Sequence, residues 1–263
     1  MFRNDLDDPK RTLSFICNLC GIENTSFAID ELHREGGACR SCGSSVRARS
    51  LVHLTSMALF RRSIPAPSWY RAEKTVYGVS DWPGFEGRFN SAFRYVNTQY
   101  DTKGFPDATF LDICQPAQSF IETADAVTCS DVLEHVSPPV QRAFDGLFSL
   151  LKPGGTLIFT VPYSLAETVE HFPELHDWKL EDIEGTRVLK NKTAQGEVQE
   201  FRDLCFHGGG ESVLEMRVFG LQDLLDHLVR AGFESIEVMS NDVLGFGIRL
   251  EPWSRPISAR KPL

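Results

Sequence analysis

The sequence lacks any long apolar run. Of its 263 residues 42% are hydrophobic, but no stretch approaches the roughly 18 consecutive apolar residues of a membrane-spanning helix. Residues 1–15, MFRNDLDDPKRTLSF, mix both charges and lack the apolar core of a secretory signal. These two absences predict that the protein has no membrane partner and is cytoplasmic. The length allows one medium domain and a small extra module.

Positive charge is scarce as well. The chain has 27 Lys and Arg against 36 Asp and Glu, a net charge of −9. The exception is the segment Arg40–Lys74, which holds seven basic residues and one acidic residue. Because neutralising phosphates requires Lys and Arg, the acidic remainder is poorly suited to long nucleic-acid contacts. Nucleic acid is therefore disfavoured as a partner, and Arg40–Lys74 is the segment that could still hold a phosphate or a short RNA.

Cysteine is also infrequent, but four of the seven cysteines have paired spacing. Cys17 and Cys20 form one C-x2-C knuckle, and Cys39 and Cys42 form a second after 18 residues. Two such knuckles at this separation predict four thiolates around one zinc ion. Four thiolates leave no open position on the ion, so we expect a structural metal. An iron–sulfur cluster would use the same ligands. Disulfides are the other alternative, which a cytoplasmic location disfavours.

A helix is predicted directly after the second knuckle. Ser44–Arg62 has an apolar stripe at helical spacing and a serine that can cap its first turn. The two prolines of Ile64–Ser68 then predict a linker. We therefore divide the chain into a zinc-binding module with its connecting helix, residues 1–62, and a second domain, residues 69–263.

The stretch 124–162 carries the clearest pattern of the second domain. Ala124–Ser130 is a short apolar run typical of a buried strand, and Gln141–Leu151 has apolar residues at helical spacing. A Lys-Pro-Gly-Gly segment ends the helix. Thr156–Val161 is again a short β-rich run. Strand, helix and strand in this order predict a right-handed βαβ unit in a parallel sheet.

The same stretch carries a family resemblance. SDVLEHV followed by LLKPGGTLIFTVP resembles the fourth and fifth strand region of class I S-adenosylmethionine-dependent methyltransferases. The resemblance implies an α/β, Rossmann-like sheet that is mostly parallel with an antiparallel last strand, and S-adenosylmethionine as cofactor. The family's G-x-G-x-G loop is missing. After the predicted first strand, Thr75–Ser80, stands YGVSDWPGFEG, in which Gly78, Gly84 and Gly87 are spaced differently.

The resemblance also implies cofactor-binding residues at the strand ends. Asp81 either meets the methionine amino group or only initiates a turn. Asn97 and Thr98 stand where the family presents an acid to the ribose hydroxyls, with Asp101 as a substitute. Asp112 resembles the acid that accepts a bond from the adenine amino group, and its alternative is a turn or helix cap. The full set is Gly78, Asp81, Asn97, Thr98, Asp112, Ile113, Asp131 and Leu133.

The remaining strands are those that the resemblance implies, and the remaining helix also has apolar residues at helical spacing. These predicted elements are strands at Phe93–Thr98 and Thr109–Ile113, a helix at Leu221–Ala231, and last strands at Phe233–Met239 and Val243–Leu250. The tail from Glu251 contains three prolines, and we expect it to be loose.

Residues 163–219 exceed a minimal methyltransferase. The resemblance implies a lid insertion over the carboxyl edge of the sheet, and its aromatic residues predict that it packs. His207 precedes Gly208–Gly210, which would let its backbone approach a ligand. His207, His135 and His176 are the candidate general bases, each with a structural role as the alternative. HFPELH is a weak metal motif, because its proline interrupts the helix that would align the two histidines.

The function that follows is methylation of a small-molecule or sugar-type acceptor, on oxygen or nitrogen. The sulfonium methyl is already activated, so the chemistry needs an aligned nucleophile and removal of its proton. A ribosomal RNA methyltransferase is the alternative, because some such enzymes also place a four-ligand zinc module before this fold. A non-catalytic binding protein with the methyltransferase fold is another, because of the altered glycine loop.

Overall fold

The computed structural model describes residues 12–103, 108–207 and 213–263. Gly208–Gly210, which the sequence places after His207, lie outside the described residues. In the part that is described, no helix has both the length and the apolar character that crossing a membrane requires.

The N-terminal region is a hairpin followed by a helix. β1 (Thr12–Ile16) pairs antiparallel with β2 (Glu23–Ala28). α1 (Val46–Phe60) confirms the predicted helix. Ser45 caps it, because its hydroxyl accepts a hydrogen bond of 3.2 Å from the backbone N–H of Ala48.

The next elements build the central sheet. They are β3 (Thr75–Val79), α2 (Glu86–Ala92), β4 (Arg94–Gln99), β5 (Thr109–Phe110), β6 (Ala124–Ser130), α3 (Gln141–Leu150) and β7 (Leu151–Thr160). The lid insertion contributes β8 (Tyr163–Ser164), β9 (Val169–Glu170), β10 (Asp177–Ile183), β11 (Thr186–Lys192), β12 (Val198–Phe201), β13 (Phe206–His207), β14 (Val213–Leu214) and β15 (Arg217–Gly220). The chain closes with α4 (Leu221–Ala231), β16 (Glu234–Val238) and β17 (Ile257–Arg260).

The central sheet has seven strands in the spatial order β16-β17-β7-β6-β3-β4-β5. The five strands from β7 to β5 are parallel to one another. β17 runs antiparallel to both of its neighbours, β7 and β16. The predicted Rossmann-like sheet, mostly parallel with an antiparallel last strand, is confirmed. All parallel strands end at one edge, so the residues that follow them meet there.

Two predictions about the C-terminal segment are wrong. Val243–Leu250 is not a strand: it holds a short 3-10 helix and one isolated bridge between Val243 and Ile248. Gly247 has a φ of +64°, which breaks an extended run. The tail is not loose, because it supplies β17, with Ile257 and Ala259 both only 1% exposed. The physical reason is that Ile257–Arg260, and not Val243–Leu250, lies between β7 and β16 and pairs antiparallel with both.

Two predicted strand bounds also change. β5 is only two residues long, because Asp112 turns the chain by accepting the backbone N–H of Cys114 at 2.8 Å. β7 begins at Leu151 and so includes the Lys-Pro-Gly-Gly segment that was expected to lie between helix and strand. The tail stabilises this segment: the N–H of Gly154 donates to the carbonyl of Lys261 at 3.0 Å.

The sheet is covered on both faces. On one face, Val127, Leu157 and Phe159 lie in a buried cluster that also contains Phe144 of α3 and Leu224 of α4. Neighbouring strand residues point to the opposite face, as strand geometry requires. There, residues of β3, β6 and β7 share a second buried cluster with α1, α2 and the N-terminal hairpin. The division at residues 62–69 stays a prediction, since the proposed module and the sheet share this core.

The lid insertion has a small core of its own. β10, β11 and β12 form an antiparallel sheet. Phe172, Leu189, Leu214 and Met216 are buried together, and Trp178, Phe201 and Phe206 pack against them. The expectation that these aromatic residues pack the insertion is confirmed. β15 connects the insertion back to the main body by pairing with β8 and β9.

Candidate active site

The four paired cysteines converge between β1 and α1. Their sulfur atoms all lie within 4.8 Å of one another. The Sγ–Sγ distances are 3.7 Å for Cys17 and Cys42 and 3.6 Å for Cys20 and Cys39. Four sulfurs arranged tetrahedrally around zinc at the usual bond length would stand about 3.8 Å apart, whereas a disulfide needs about 2.05 Å. The residues fit a four-thiolate metal site and are not paired as disulfides.

The surroundings of these thiols differ in polarity. Burial raises the pKa of Cys20 to about 12. Burial acts on Cys39 too, but the backbone N–H of Cys42 and the side-chain amide of Asn24 outweigh it and lower the pKa of Cys39 to about 6. The Asn24 amide donates to Cys39 Sγ at 3.4 Å. Donors directed at sulfur stabilise a thiolate, which is the form that ligates a metal.

At the carboxyl edge, Asp81 follows β3 and connects the neighbouring strands. Its Oδ2 accepts hydrogen bonds from the hydroxyls of Tyr95 (3.0 Å) and Thr128 (2.5 Å), on β4 and β6. Gly78 leaves room for this carboxylate, because a Cβ there would stand 2.5 Å from Asp81 Oδ2. Asp81 Oδ1 has no hydrogen-bond partner within residues 12–103, 108–207 and 213–263. Asp81 Oδ1 is therefore a buried hydrogen-bond acceptor that a ligand could use.

The charge state of Asp81 reflects this burial. The residue is 2% exposed. Burial raises the pKa of Asp81 to about 7, although the bonds from Thr128 and Tyr95 act in the opposite direction. A cation placed at the free oxygen of such a carboxyl group stabilises its ionised form. An ammonium group is a chemically suitable partner.

Asn97 and Thr98, at the end of β4, brace the turn after β3. The backbone N–H of Asp81 donates to Asn97 Oδ1, and Asn97 Nδ2 donates to the Asp81 carbonyl, both at 3.1 Å. Thr98 is fully buried, and its hydroxyl donates to the Gly78 carbonyl at 2.8 Å. Asp101 is an exposed carboxylate just beyond this strand. Both strand-end side chains are thus engaged in shaping the loop that Asp81 occupies.

Asp112 and Ile113 follow β5. Asp112 makes the turn described above through one carboxylate oxygen, so the structural alternative from the sequence is present. Ile113 is buried, and its carbonyl lies against Gly146 of α3, where a Cβ would come within 1.7 Å. This close contact fixes the backbone that carries Asp112.

Asp131, directly after β6, is held by the N-terminal region. Arg34 pairs with its Oδ1, and Arg47 Nη1 lies 3.3 Å from its Oδ2. The Thr160 hydroxyl donates to Oδ1 at 3.1 Å. The carboxylate predicted to bind the cofactor is therefore occupied by protein cations, and it fastens the N-terminal region to the carboxyl edge of the sheet.

The next turn is a 3-10 helix over Leu133–His135, and Arg217 holds it in place. Arg217 is fully buried, and its Nη1 donates to the carbonyls of Leu133 (2.9 Å) and Val136 (2.6 Å). Its Nε donates to Glu170 at 2.6 Å. Leu133 itself is fully buried in the core. The sequence offered no signal for Arg217, because nothing local marks an arginine as buried.

Next to this turn, side chains of the sheet edge and the lid insertion meet. We call them the lid–sheet cluster: Glu134, His135, His171, Cys205, His207 and Glu215. One carboxylate oxygen of Glu215, Oε1, lies 2.9 Å from His171 Nε2. The other, Oε2, lies 3.0 Å from His207 Nε2. The rings of His135 and His207 meet edge to face, with centroids 5.4 Å apart. Two of the three predicted base candidates are thus brought together.

His135 and Glu134 are the buried members of this cluster. His135 Nδ1 donates to the Leu214 carbonyl at 2.9 Å, which leaves the lone pair on Nε2. Burial lowers the pKa of His135. Glu134 is 1% exposed, and neither carboxylate oxygen has a hydrogen-bond partner in the described part of the chain. Burial raises the pKa of Glu134 to about 8, and the charge of Asp131 acts in the same direction.

His176, the third base candidate, is not part of the cluster. It is exposed, and its backbone N–H donates to Asn191 at 2.9 Å. His171 is engaged with Glu215 instead. Among the described residues, HFPELH therefore does not form the metal pair that its spacing suggested.

Comparisons with known proteins gave one family match and several solved structures of low similarity. A family model described as a methyltransferase domain matches residues 70–194. The comparison with curated sequences gave no match. Similar solved structures include an S-adenosylmethionine-dependent methyltransferase from Mesorhizobium loti, with 17% identity, a TM-score of 0.45, and 74% of this chain and 94% of that one covered. Another is CalS10, an amino pentose methyltransferase from Micromonospora echinaspora, with 15% identity, a TM-score of 0.46, and 83% and 92% covered. At identities and TM-scores this low, these two structures carry no argument about the fold or the acceptor of this chain.

Proposed function

We propose that this chain, whose residues 70–194 match a family model described as a methyltransferase domain, moves a methyl group from S-adenosylmethionine to an oxygen or nitrogen of a small molecule or sugar. One observation carries the proposal. The carboxyl edge of the sheet has a buried oxygen without a partner on Asp81 and, after the adjacent strand β6, the imidazole of His135, against which the His207 ring of β13 packs. Ligands of open α/β sheets bind at that edge.

The strand ends supply groups that fit the cofactor. S-adenosylmethionine would bring a methyl group already activated by its sulfonium. Asp81 Oδ1 would accept a hydrogen bond from the methionine amino group, and Asp112 one from the adenine amino group. Asn97 or Asp101 would serve the ribose hydroxyls. The other predicted residues would support the backbone and the side chains at this edge of the sheet: Gly78, Thr98, Ile113, Asp131 and Leu133.

The acceptor proton would pass to the lid–sheet cluster. His135 Nε2 has a lone pair, and burial holds the pKa of His135 below its ordinary value, so the ring is neutral at pH 7. His207 is 40% exposed and lies beside it, which places it nearer to solvent. A neutral imidazole within reach of an acceptor hydroxyl or amine can take its proton as the methyl transfers. His176 stays a sequence-based candidate.

The charges favour a small acceptor over a nucleic acid. The predicted basic segment, Arg40–Lys74, loses three of its cations to the protein itself. Lys74 Nζ lies 3.0 Å from Asp125 Oδ1. Arg47 pairs with Glu35 and Asp131. Arg49 is fully buried and donates to the carbonyls of Ser44 and Gly247. Fewer cations therefore face outward than a long phosphate contact requires. A ribosomal RNA methyltransferase is accordingly the weaker alternative.

Zinc is the metal that we propose for the four cysteines. The sulfur separations match a tetrahedral shell, and the closed ligand set suits a structural rather than a catalytic ion. The predicted cytoplasmic location is consistent with free thiolates.

The cofactor proposal is tested by calorimetry with S-adenosylhomocysteine. Asp112→Ala should weaken binding by about 1–3 kcal/mol, the usual cost of losing a buried hydrogen-bond partner. Asp112→Asn is the matched control for folding, because it keeps an oxygen for the turn to Cys114. Unchanged affinity in a folded Asp112→Ala variant would place adenine elsewhere. If the wild-type protein binds neither form of the cofactor, the non-catalytic alternative holds.

The base proposal is tested by turnover with labelled S-adenosylmethionine and an acceptor found by screening sugars and small molecules. His135→Asn and His207→Asn should each leave cofactor affinity intact, and loss of the base should reduce turnover by roughly 10²–10⁴-fold. Full turnover in both variants would remove the pair from the mechanism and make His176 the next candidate.

A further inference from the structure

The lid–sheet cluster contains more metal-ligating groups than proton transfer needs. Ligand atoms of Glu134, His135 and His207 lie within 4.8 Å of one another, and so do those of Cys205, His207 and Glu215. The set combines imidazole nitrogens, carboxylate oxygens and one thiol. These are the ligands that zinc and neighbouring transition metals bind in proteins, whereas Mg²⁺ prefers oxygen ligands alone.

From this geometry we propose that the lid–sheet cluster binds a divalent transition-metal ion, of which Zn²⁺ is the reference, at a site separate from the four cysteines. Glu134, His135 and His207 would be the central ligands. Glu215 and Cys205 lie on the insertion side, where either could complete the coordination.

The Glu134 carboxylate is the first independent support. It is 1% exposed, and no described residue donates a hydrogen bond to either of its oxygens. Its Oε1 lies 4.0 Å from His135 Nε2, which is too long for a hydrogen bond. A buried carboxylate without partners is costly, and a cation beside it removes that cost.

The second support is the way in which His135 is held. In metal sites, a ligating histidine donates its other ring N–H to a carbonyl or carboxylate, which fixes the ring and directs the lone pair at the ion. His135 has this arrangement, since Nδ1 donates to the Leu214 carbonyl at 2.9 Å. Backbone bonds fix the neighbours: Met216 N–H donates to the Glu134 carbonyl at 2.8 Å, and Glu215 N–H to that of Cys205 at 2.8 Å. These hydrogen bonds therefore fix the positions of the ligand residues without a bound ion.

The ligands come from two parts of the fold. Glu134 and His135 follow β6 of the central sheet, and His207 lies on β13 of the lid insertion. An ion bound to all three would fasten the insertion to the carboxyl edge. A ring nitrogen that coordinates the ion has no lone pair left for a proton, so a histidine that binds the ion through that nitrogen would not be the general base. Ion binding is measured without cofactor or acceptor, and its outcome therefore does not depend on the proposed function.

The test is a calorimetric titration of Zn²⁺ into the full chain after its four-cysteine site has been filled. We expect one further equivalent to bind, and no heat from Mg²⁺. Glu134→Gln and His207→Asn should each weaken this event at least about tenfold, since even outer partners of a metal site contribute that much. His176→Asn, an exposed histidine of the same insertion, is the matched control and should bind like the wild type.

Two results would overturn the proposal: no further equivalent in the wild-type protein, or an equivalent that both variants keep with unchanged affinity. Circular dichroism and thermal unfolding check that the variants are folded. Glu134→Gln preserves side-chain volume, and His207 is 40% exposed, so at least one of the two substitutions should be tolerated.

Discussion

Asp81 is a carboxyl group for which the described protein supplies hydrogen-bond donors but no direct ion pair. Tyr95 and Thr128 donate to one oxygen, and the other has no partner within the described residues. The chain therefore holds an acid whose ionised form is stabilised only in part. Such groups concentrate where a ligand later supplies the missing charge, and in the proposed function that ligand is the amino group of the cofactor.

We expect Asp81→Asn to remove a pH dependence of stability. The pKa of this carboxyl is about 3.9 in an unfolded chain and about 7 in the folded protein. The folded state thus binds the proton more tightly, and the stability from this proton is complete below pH 4 and is lost as the pH rises to 7. Asparagine cannot ionise and keeps an oxygen for Tyr95 and Thr128.

Urea unfolding at pH 5 and pH 8 measures this effect. Between pH 5 and pH 8, the free energy of unfolding of the wild-type protein should fall by about 2–3 kcal/mol more than that of the variant. The variant should also bind S-adenosylhomocysteine more weakly, so greater stability at pH 8 would accompany poorer binding. Equal pH slopes in the two proteins would contradict the assigned charge state.

Among single residues, the sequence predicts those that lie at strand ends and in short motifs. Asp81 and Asp131 follow apolar runs, and His135 lies in the LEH segment, so their place at the edge could be inferred. Their partners could not. Arg34 is 97 residues from Asp131 in sequence, and pairs that distant leave no local pattern. The sequence therefore predicts Asp131 as a cofactor residue without revealing the arginines that pair with its carboxylate.

Among the elements, β17 shows what periodicity cannot decide. Val243–Leu250 is longer and more apolar than Ile257–Arg260, and it lies where a last strand was expected. The shorter segment nevertheless enters the sheet, because its backbone pairs with β7 along its whole length and with β16 on either side of a bulge. Gly247 and the 3-10 turn prevent the earlier segment from doing so. The clearly periodic elements, α1, α3 and α4, were located correctly.

Ala259→Asp tests the importance of β17. Ala259 is 1% exposed inside the sheet, and an unpaired carboxylate at such a position should destabilise the protein by more than about 3 kcal/mol. The same substitution at Leu263, which is 98% exposed, should change the free energy of unfolding by less than about 0.5 kcal/mol. Chemical denaturation compares the two. If Ala259→Asp were as mild as Leu263→Asp, the tail would be loose after all.

Over the whole molecule, the N-terminal region and the sheet are energetically coupled. They share one buried cluster, and Arg34 and Arg47 bind Asp131 at the carboxyl edge. A division into two independent domains, as the proline-containing linker Ile64–Ser68 predicts, would place the effect of zinc in the first 62 residues alone. The shared core implies that zinc stabilises the sheet as well.

Cys39→Ser should therefore lose one zinc and lower the stability of the entire protein. A structural zinc site contributes many kcal/mol to folding, so we expect the melting temperature to fall by about 10 °C or more. Metal analysis and calorimetric melting are the measurements. Cys114→Ser, outside the four-cysteine site, is the control and should keep its zinc. An early separate transition for the N-terminal region, with the main transition unmoved, would contradict the coupling.

The position of β17 has a consequence for folding during synthesis. β7 ends at Thr160, but its antiparallel neighbour begins only at Ile257. While the ribosome makes the lid insertion and α4, one edge of β7 has no neighbour, and β16 has nothing to join. Unpaired apolar edges promote aggregation of nascent chains. The sheet can close only after Ile257–Arg260 has been translated, so β7 keeps an unpaired edge throughout the synthesis of the segments between them.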